Sequence, residues 1–238
     1  MAYTVRFAFS ANCGMSVMFP GAKLLIDAFP KKKNIWSVVD PQMWEKLKTD
    51  ADFMDPDMIC YTHLDPDHYS YAYTLEAGRL WPDAVLALPG DDFSDSICLC
   101  KDLYKSRAGS ADICFVRTPH TGKCDIDHYS IVMEAGGKKV LIGGDVTLPT
   151  PEFVRFLKEE NADILVLPFP WCTGIEARRV ILEEIKPHHL MLVHIPFPAE
   201  DKYSYRHMVE VGIGRMSAVP DVRAFTEPFQ REFFEFDN

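Results

Sequence analysis

The chain has 238 residues, of which 47% are hydrophobic, so it can bury a sizeable core, and we predict one domain over residues 1–238. Its 25 Lys and Arg residues stand against 35 Asp and Glu residues, which gives a net charge of −10. This charge argues against a nucleic-acid partner, because a surface that binds phosphates needs clustered basic side chains.

Hydrophobic periodicity and turn residues predict strands that alternate with helices along the chain. Strands are predicted at residues 3–9, 15–19, 23–27, 58–61, 85–88, 112–116, 129–134, 138–143, 163–168, 189–194 and 222–226. Helices are predicted at residues 40–48, 71–80, 97–107, 151–160, 175–185 and 204–211. The pair Gly136-Gly137 is typical of a hairpin turn. This order predicts an α/β fold with two mixed sheets flanked by helices.

The segment from Thr62 to His68 is the most informative part of the chain, because it holds His63, Asp65, Asp67 and His68 within six residues. Imidazole and carboxylate groups bind zinc, iron or manganese in proteins. Alternate residues at a strand end share a direction, so His63 and Asp65 can converge on one ion. Asp67 and His68 lie further round the loop and can reach a second ion. A solvated turn is the alternative, since Asp, Pro and His are all common in turns.

Three later segments each supply one more potential ligand. His120 lies in a loop of sequence Thr-Pro-His-Thr-Gly, Asp145 follows a strand and a glycine pair, and His194 ends an apolar strand. His128, at a strand start, competes with His120, which we prefer. A site for two ions needs ligands from several strand ends and one carboxylate that can bridge the ions.

These motifs resemble, in order and spacing, those of the metallo-β-lactamase superfamily. Its first motif is usually written H-x-H-x-D-H and stands here as His63-Leu64-Asp65-Pro66-Asp67-His68. The similarity extends from about residue 5 to about residue 197 and is greatest to the compact single-domain hydrolases, including the lactonases. It implies a four-layer αβ/βα sandwich that binds two divalent ions. The implied ligands are His63, Asp65 and His120 for one ion, Asp67, His68 and His194 for the other, and Asp145 as the bridge.

One position departs from the pattern of the superfamily. Asp65 stands where most members have histidine, which is similar to the H-x-E-x-D-H motif of the diiron flavodiiron proteins. Oxygen ligands favour harder ions, so iron or manganese becomes a candidate beside the expected zinc. Asp27, which follows an early strand, is expected to order the first-motif loop by hydrogen bonds rather than to bind an ion.

The resemblance implies a metal-dependent hydrolase that acts on a small-molecule ester, lactone, amide or phosphodiester. Asp67 would be the catalytic residue, which binds one ion and orients the attacking water or accepts its proton. Trp171 is our choice for an apolar wall of the substrate pocket. The alternatives are a non-hydrolytic diiron redox protein, which Asp65 favours, and a non-catalytic metal-binding domain.

Cysteine usage and the absence of targeting signals predict a cytoplasmic protein with no membrane partner. No apolar run approaches the ~20 residues of a membrane span. The N-terminus lacks the basic and long apolar segments of a signal peptide. The seven cysteines show no spacing suited to a disulfide framework and are expected to be reduced. Cys13, Cys124 and Cys172 fall in predicted loops, where any of them could approach the site.

Overall fold

The computed structural model describes residues 2–31, 35–90, 93, 95–122 and 126–237, so Cys124 lies outside the described residues. The described residues form fourteen strands. In chain order they are β1 (Tyr3–Phe9), β2 (Met15–Phe19), β3 (Ala22–Ile26), β4 (Met58–Cys60), β5 (Val85–Pro89), β6 (Ile97–Leu99), β7 (Leu103–Ala108), β8 (Ala111–Arg117), β9 (Tyr129–Ala135), β10 (Lys138–Ile142), β11 (Ile164–Pro168), β12 (His189–Val193), β13 (Asp221–Ala224) and β14 (Arg231–Phe236).

The described helices are α1 (Pro41–Leu47), α2 (Tyr71–Leu80), α3 (Pro151–Glu160), α4 (Pro170–Thr173), α5 (Ile175–Val180) and α6 (Tyr205–Gly214). Helix α5 continues into a π-helical turn at Ile181–Ile185. Helix α3 shows why these segments become helical. The Thr150 side chain accepts a hydrogen bond from the backbone N–H of Phe153, and Pro151 occupies the first turn, where no N–H is needed. Across the described residues, every helix is too short or too polar to cross a membrane.

The strands form two mixed sheets of seven strands each. The first sheet has the order β14-β1-β2-β3-β4-β5-β6, and the second has the order β13-β12-β11-β10-β9-β8-β7. Pairing changes from antiparallel to parallel at β3 in the first sheet and at β10 in the second. The carboxyl ends of the parallel strands therefore gather at one edge of each sheet.

Apolar side chains fill three interfaces between layers. Phe7 of β1 and Ile131 of β9 belong to the core between the two sheets. The neighbouring Ala8 faces the opposite side of the first sheet, where it belongs to a cluster that includes Trp44 of α1. Phe153 of α3 packs in the third cluster, on the outer face of the second sheet. The predicted four-layer αβ/βα sandwich is confirmed.

The main error in the predicted elements lies at residues 97–107, where we expected a helix. This stretch instead forms β6 and the greater part of β7. Exposure alternates along β7, with Leu103, Lys105 and Arg107 exposed and Ala108 buried, which is the period of a strand with one solvated face. The structure also adds β14, which pairs antiparallel with β1 and was not predicted.

Candidate metal centre

Four parallel strands end beside the residues that the sequence suggested as ligands. In the first sheet, Asp27 directly follows β3, and the segment that begins at Thr62 lies two residues after β4. In the second sheet, Asp145 lies three residues after β10, and His194 directly follows β12. Ligand sites in α/β folds form outside the carboxyl ends of such strands. The packing of the two sheets brings these four strand ends into one site.

Three predicted ligands form what we call the first group, which consists of His63, Asp65 and His120. One potential ligand atom from each side chain lies within 4.8 Å of the other two. The Nε2 atom of His120 is 4.0 Å from Oδ2 of Asp65. Neither ring nitrogen of His120 has a hydrogen-bond partner among the described residues, although both are buried. The set that was expected to hold one ion is therefore assembled.

The second group consists of Cys13, His68, Asp145 and His194, whose ligand atoms also lie within 4.8 Å of one another. Three of these residues were expected to bind or bridge the second ion. Cys13, in the turn between β1 and β2, was only one of three cysteines that could approach the site. Asp67 lies outside this compact set, although its Oδ2 atom is 3.6 Å from Nε2 of His194. Its side chain is 20% exposed, at the rim of the site.

Asp145 lies between the two groups. One of its oxygens, Oδ2, is 3.3 Å from Nε2 of His194, 3.8 Å from Nε2 of His120 and 4.0 Å from Nε2 of His63. Its other oxygen, Oδ1, is 3.2 Å from Nε2 of His68. A single carboxylate thus faces two imidazoles from each group, which is the position that a bridging ligand requires.

Asp27 orients His68 directly and His63 through Thr62. Its Oδ2 atom accepts hydrogen bonds from Nδ1 of His68, at 2.9 Å, and from the Thr62 hydroxyl, at 2.6 Å. Since the hydroxyl proton of Thr62 is used in that bond, Nδ1–H of His63 donates to Thr62 Oγ1, at 3.0 Å. Both imidazoles consequently turn their Nε2 atoms towards the site. Carboxylates commonly fix metal-binding histidines in this way.

The residues of the site fit a divalent cation. Five buried atoms of the site have no hydrogen-bond partner among the described residues. They are Nε2 of His63, Nε2 of His68, both ring nitrogens of His120 and Oδ1 of Asp145. The 3.2 Å contact between Nε2 of His68 and Oδ1 of Asp145 is an ion pair that lacks the angles of a hydrogen bond. Buried polar atoms are rarely left unpaired in proteins, and a bound ion is one of the few explanations.

Comparison with known proteins gives matches among solved structures alone. No protein-family model matches the chain, and no curated protein does. The metallo-β-lactamase fold protein YhfI from Bacillus subtilis is similar over 96% of this chain and 99% of its own, with a TM-score of 0.66 and 15% identity. The isothiocyanate hydrolase from Delia radicum gut bacteria is similar over 97% of this chain and 99% of its own, with a TM-score of 0.68 and 15% identity.

The chain has the metallo-β-lactamase fold. The same fold occurs in a larger similar protein, CmlA, a diiron β-hydroxylase from Streptomyces venezuelae. That similarity covers 98% of this chain and 54% of CmlA, with a TM-score of 0.65 and 14% identity. The resemblance that was based on the motifs is thus confirmed at the level of the fold.

In this metallo-β-lactamase-fold site, His128 is buried behind Asp145. Its Nε2 atom accepts a hydrogen bond from the backbone N–H of Asp145, at 2.9 Å, and Nδ1 faces Thr118. Burial lowers the pKa of His128 to about 4, so the ring stays neutral and can accept that bond. Gly144 has a φ of +64°, and a Cβ atom there would lie 2.3 Å from Nε2 of His128. His128 therefore positions Asp145, whereas His120 lies in the first group.

The expectation that Trp171 forms a wall of the substrate pocket is wrong. Its side chain is fully buried in the cluster between the second sheet and its helices, and its indole N–H donates to the backbone oxygen of Val146. Trp36, which the sequence analysis did not select, is the aromatic residue at the site. Its ring lies edge-on to His194, with centroids 4.1 Å apart, and it stacks on Tyr205. Trp36 lies in an irregular loop, so no periodicity marked it.

Asp145 and the neighbouring histidines shift one another's pKa values. Burial alone would raise the pKa of this carboxyl, but the imidazoles of His194 and His68 outweigh burial and hold the pKa well below its ordinary value. Burial likewise opposes protonation of His68, yet the carboxylates of Asp145 and Asp27 keep the pKa of His68 well above its ordinary value. Burial holds the pKa of His63 well below its ordinary value. In the metal-free protein the protonated His68 therefore balances the charge of the partly buried Asp145 carboxylate, and a bound cation would take over that role.

Proposed function

We propose that this chain is an enzyme, a hydrolase that uses two divalent ions held by the first and second groups. The observation that carries the proposal is the position of Asp145. Its carboxylate lies within 4.0 Å of imidazole nitrogens from both groups. A shared carboxylate between two sets of histidines is the arrangement that holds two ions close enough to act on one substrate.

Bound ions would lower the pKa of water from ~15.7 to near 7 and polarise the bond to be cleaved. The protein itself supplies orientation and a proton acceptor. Asp67 is suited to accept the proton of the attacking water, because Oδ2 lies beside His194 while the side chain stays 20% exposed and can pass the proton to solvent. Trp36 offers an apolar surface next to His194 against which a substrate can pack.

The proposed substrate is a small molecule with an ester, lactone, amide or phosphodiester bond. Zinc is the expected metal, while the oxygen ligand Asp65 keeps manganese and iron as candidates for the first group. Similar structures include the isothiocyanate hydrolase and a diphosphatase from the PhnP family, so isothiocyanates and phosphate esters belong in the substrate panel. We also propose a cytoplasmic location, for which the free thiols of Cys13, Cys60, Cys114 and Cys172 are the support.

Metal content and metal-dependent turnover test this proposal. Protein purified without added metal would be analysed for elements, stripped with a chelator, and reloaded with zinc, manganese or iron before each substrate is assayed. We expect two bound ions and turnover that depends on them. His194→Gln should lose the second ion and the turnover, whereas His207→Gln, which removes an imidazole that is 74% exposed, should change neither metal content nor turnover. Equal turnover in the stripped and the reloaded protein would count against the proposal.

The second candidate is a diiron oxidase or oxygenase that does not hydrolyse its substrate. Asp65 in the first group favours it, because carboxylate ligands suit iron. The fold is shared with CmlA, a diiron β-hydroxylase. Iron in the purified protein, together with oxygen consumption that needs an added reductant, would favour this candidate. Zinc in both groups would count against it.

A further inference from the structure

Cys13 lies at the candidate metal centre, where the sequence analysis expected only that it could approach the site. It occupies the turn between β1 and β2 and is 3% exposed. Its sulfur lies within 4.8 Å of one ligand atom from each of His68, Asp145 and His194. In a tetrahedral site with metal–ligand bonds of ~2.0 to 2.3 Å, neighbouring ligand atoms are about 3.5 Å apart, so this spacing suits a common ion.

The turn that carries Cys13 is fixed to both sides of the site. Asn12 donates from its side chain to the backbone oxygen of Asp67, at 2.8 Å, and its own backbone oxygen accepts from the N–H of His194, at 2.9 Å. Gly14 is packed so closely that a Cβ atom there would lie 2.3 Å from Ser10 Oγ. The thiol is therefore held at a constant position relative to His194.

A second, independent observation is that two buried polar atoms of the second group lack hydrogen-bond partners among the described residues. Nε2 of His68 is fully buried and has no hydrogen-bond partner, while Nδ1 of the same ring is fixed by Asp27. Oδ1 of Asp145, 3.2 Å away, is also buried without a hydrogen bond. An ion bound between this ring nitrogen and this carboxylate oxygen would explain why they face each other without a hydrogen bond.

We propose that Cys13 binds the second ion directly as a thiolate, in a set completed by His68, Asp145 and His194. The proposal rests on the proposed metal-dependent function and specifies which atoms hold one of its ions. On binding of the ion, the Cys13 thiol would lose its proton to solvent and hold the ion as a thiolate. Asp67, at the rim, is then available for proton transfer. Because sulfur ligands favour zinc and oxygen ligands favour harder ions, the second group should select zinc more strongly than the first, which contains Asp65.

Cobalt(II) spectroscopy on the full-length, metal-free protein tests the proposal, since a cobalt-bound thiolate gives a near-ultraviolet charge-transfer band that nitrogen and oxygen ligands do not give. Wild-type protein should develop this band in proportion to occupancy of one of two sites, together with visible cobalt bands. Cys13→Ser should lose the near-ultraviolet band, keep visible bands, and bind the second ion at least about 10-fold more weakly, the scale that even outer partners of a ligand reach.

The matched control is Cys114→Ser, which removes a half-buried thiol on β8 and should keep the band. Should Cys13→Ser fail to fold, the wild-type spectrum and the control still decide the question. Visible cobalt bands without the near-ultraviolet band in wild-type protein would overturn the role of Cys13 while leaving metal binding intact. No cobalt bands at all would overturn the proposed metal-dependent function as well.

Discussion

The second group is gathered from four separate parts of the chain, whereas the first group comes from two loops. In the second group, His68 is hydrogen-bonded to Asp27, and the ring of His194 lies against Trp36. In the first group, neither ring nitrogen of His120 has a hydrogen-bond partner in the part of the chain that the structure describes. The comparison teaches that the fold fixes the geometry of the second group much more firmly. We therefore expect tighter binding there and greater tolerance of substitution, as at Asp65, in the first group.

The largest effect is expected from Asp145→Asn, which removes the negative charge that both groups share. Both ions should be lost together, because this side chain is the link between the groups. Turnover should fall by on the order of 1000-fold, since the ions contribute several kcal/mol of stabilisation to the transition state. Elemental analysis and steady-state assays of the variant check this. Retention of two tightly bound ions would show that Asp145 does not bridge.

Asp27→Asn should weaken metal binding more at the second group than at the first. His68 bonds directly to this carboxylate, while His63 reaches it only through Thr62. Loss of such an outer partner typically weakens metal binding by about 10- to 100-fold. We expect a loss of that size at the second group and a smaller one at the first, measured by competition titration with a chelator. Thr62→Ser, which keeps the hydroxyl, is the control, and equal losses at both groups would contradict the comparison.

Asp65 variants test the first group by itself. Asp65→Ala should weaken one ion and leave the other in place, because Asp65 belongs to the first group alone. Asp65→His should restore a three-histidine set and shift preference from manganese towards zinc, since imidazole suits zinc and carries no negative charge. Metal stoichiometry and metal-dependent turnover are the measurements. Unchanged occupancy and preference in Asp65→Ala would mean that Asp65 only shapes its loop.

The last prediction concerns the stability of the metal-free protein, where no effect on metal binding or turnover is measured. Burial lowers the pKa of His128 to about 4, against 6.5 for the ordinary side chain, so the unfolded chain takes up this proton first as the pH falls. The stabilising contribution is complete above pH ~6.5 and is lost as the pH falls towards ~4, by about 3 kcal/mol. Denaturant unfolding of the metal-free protein across this range measures the loss. His128→Gln should remove this part of the pH dependence, and an identical profile for variant and wild type would contradict the assignment.

Sequence reasoning succeeded where the relevant signal is local. Helices α2 and α3 lie at the predicted residues 71–80 and 151–160, because their caps, prolines and apolar spacing are short-range features. Most of the residues that meet at the candidate site could be found in the same way, since they follow apolar strands, although Asp67 lies outside the two compact groups. Residues 97–107 were predicted as a helix because the pairing partner that makes Leu103–Ala108 a strand is β8, and such pairing is not a property of the segment itself.

The sequence by itself determined the order of strands and helices and the types of residue that end the strands. Only the tertiary structure decided which side chains meet. It brought Cys13 to Asp145, replaced Trp171 by Trp36 beside His194, and put His128 behind Asp145 rather than among the ligands. The physical reason is that local periodicity fixes an element, whereas convergence on one site depends on how two sheets pack over distances that no short segment encodes.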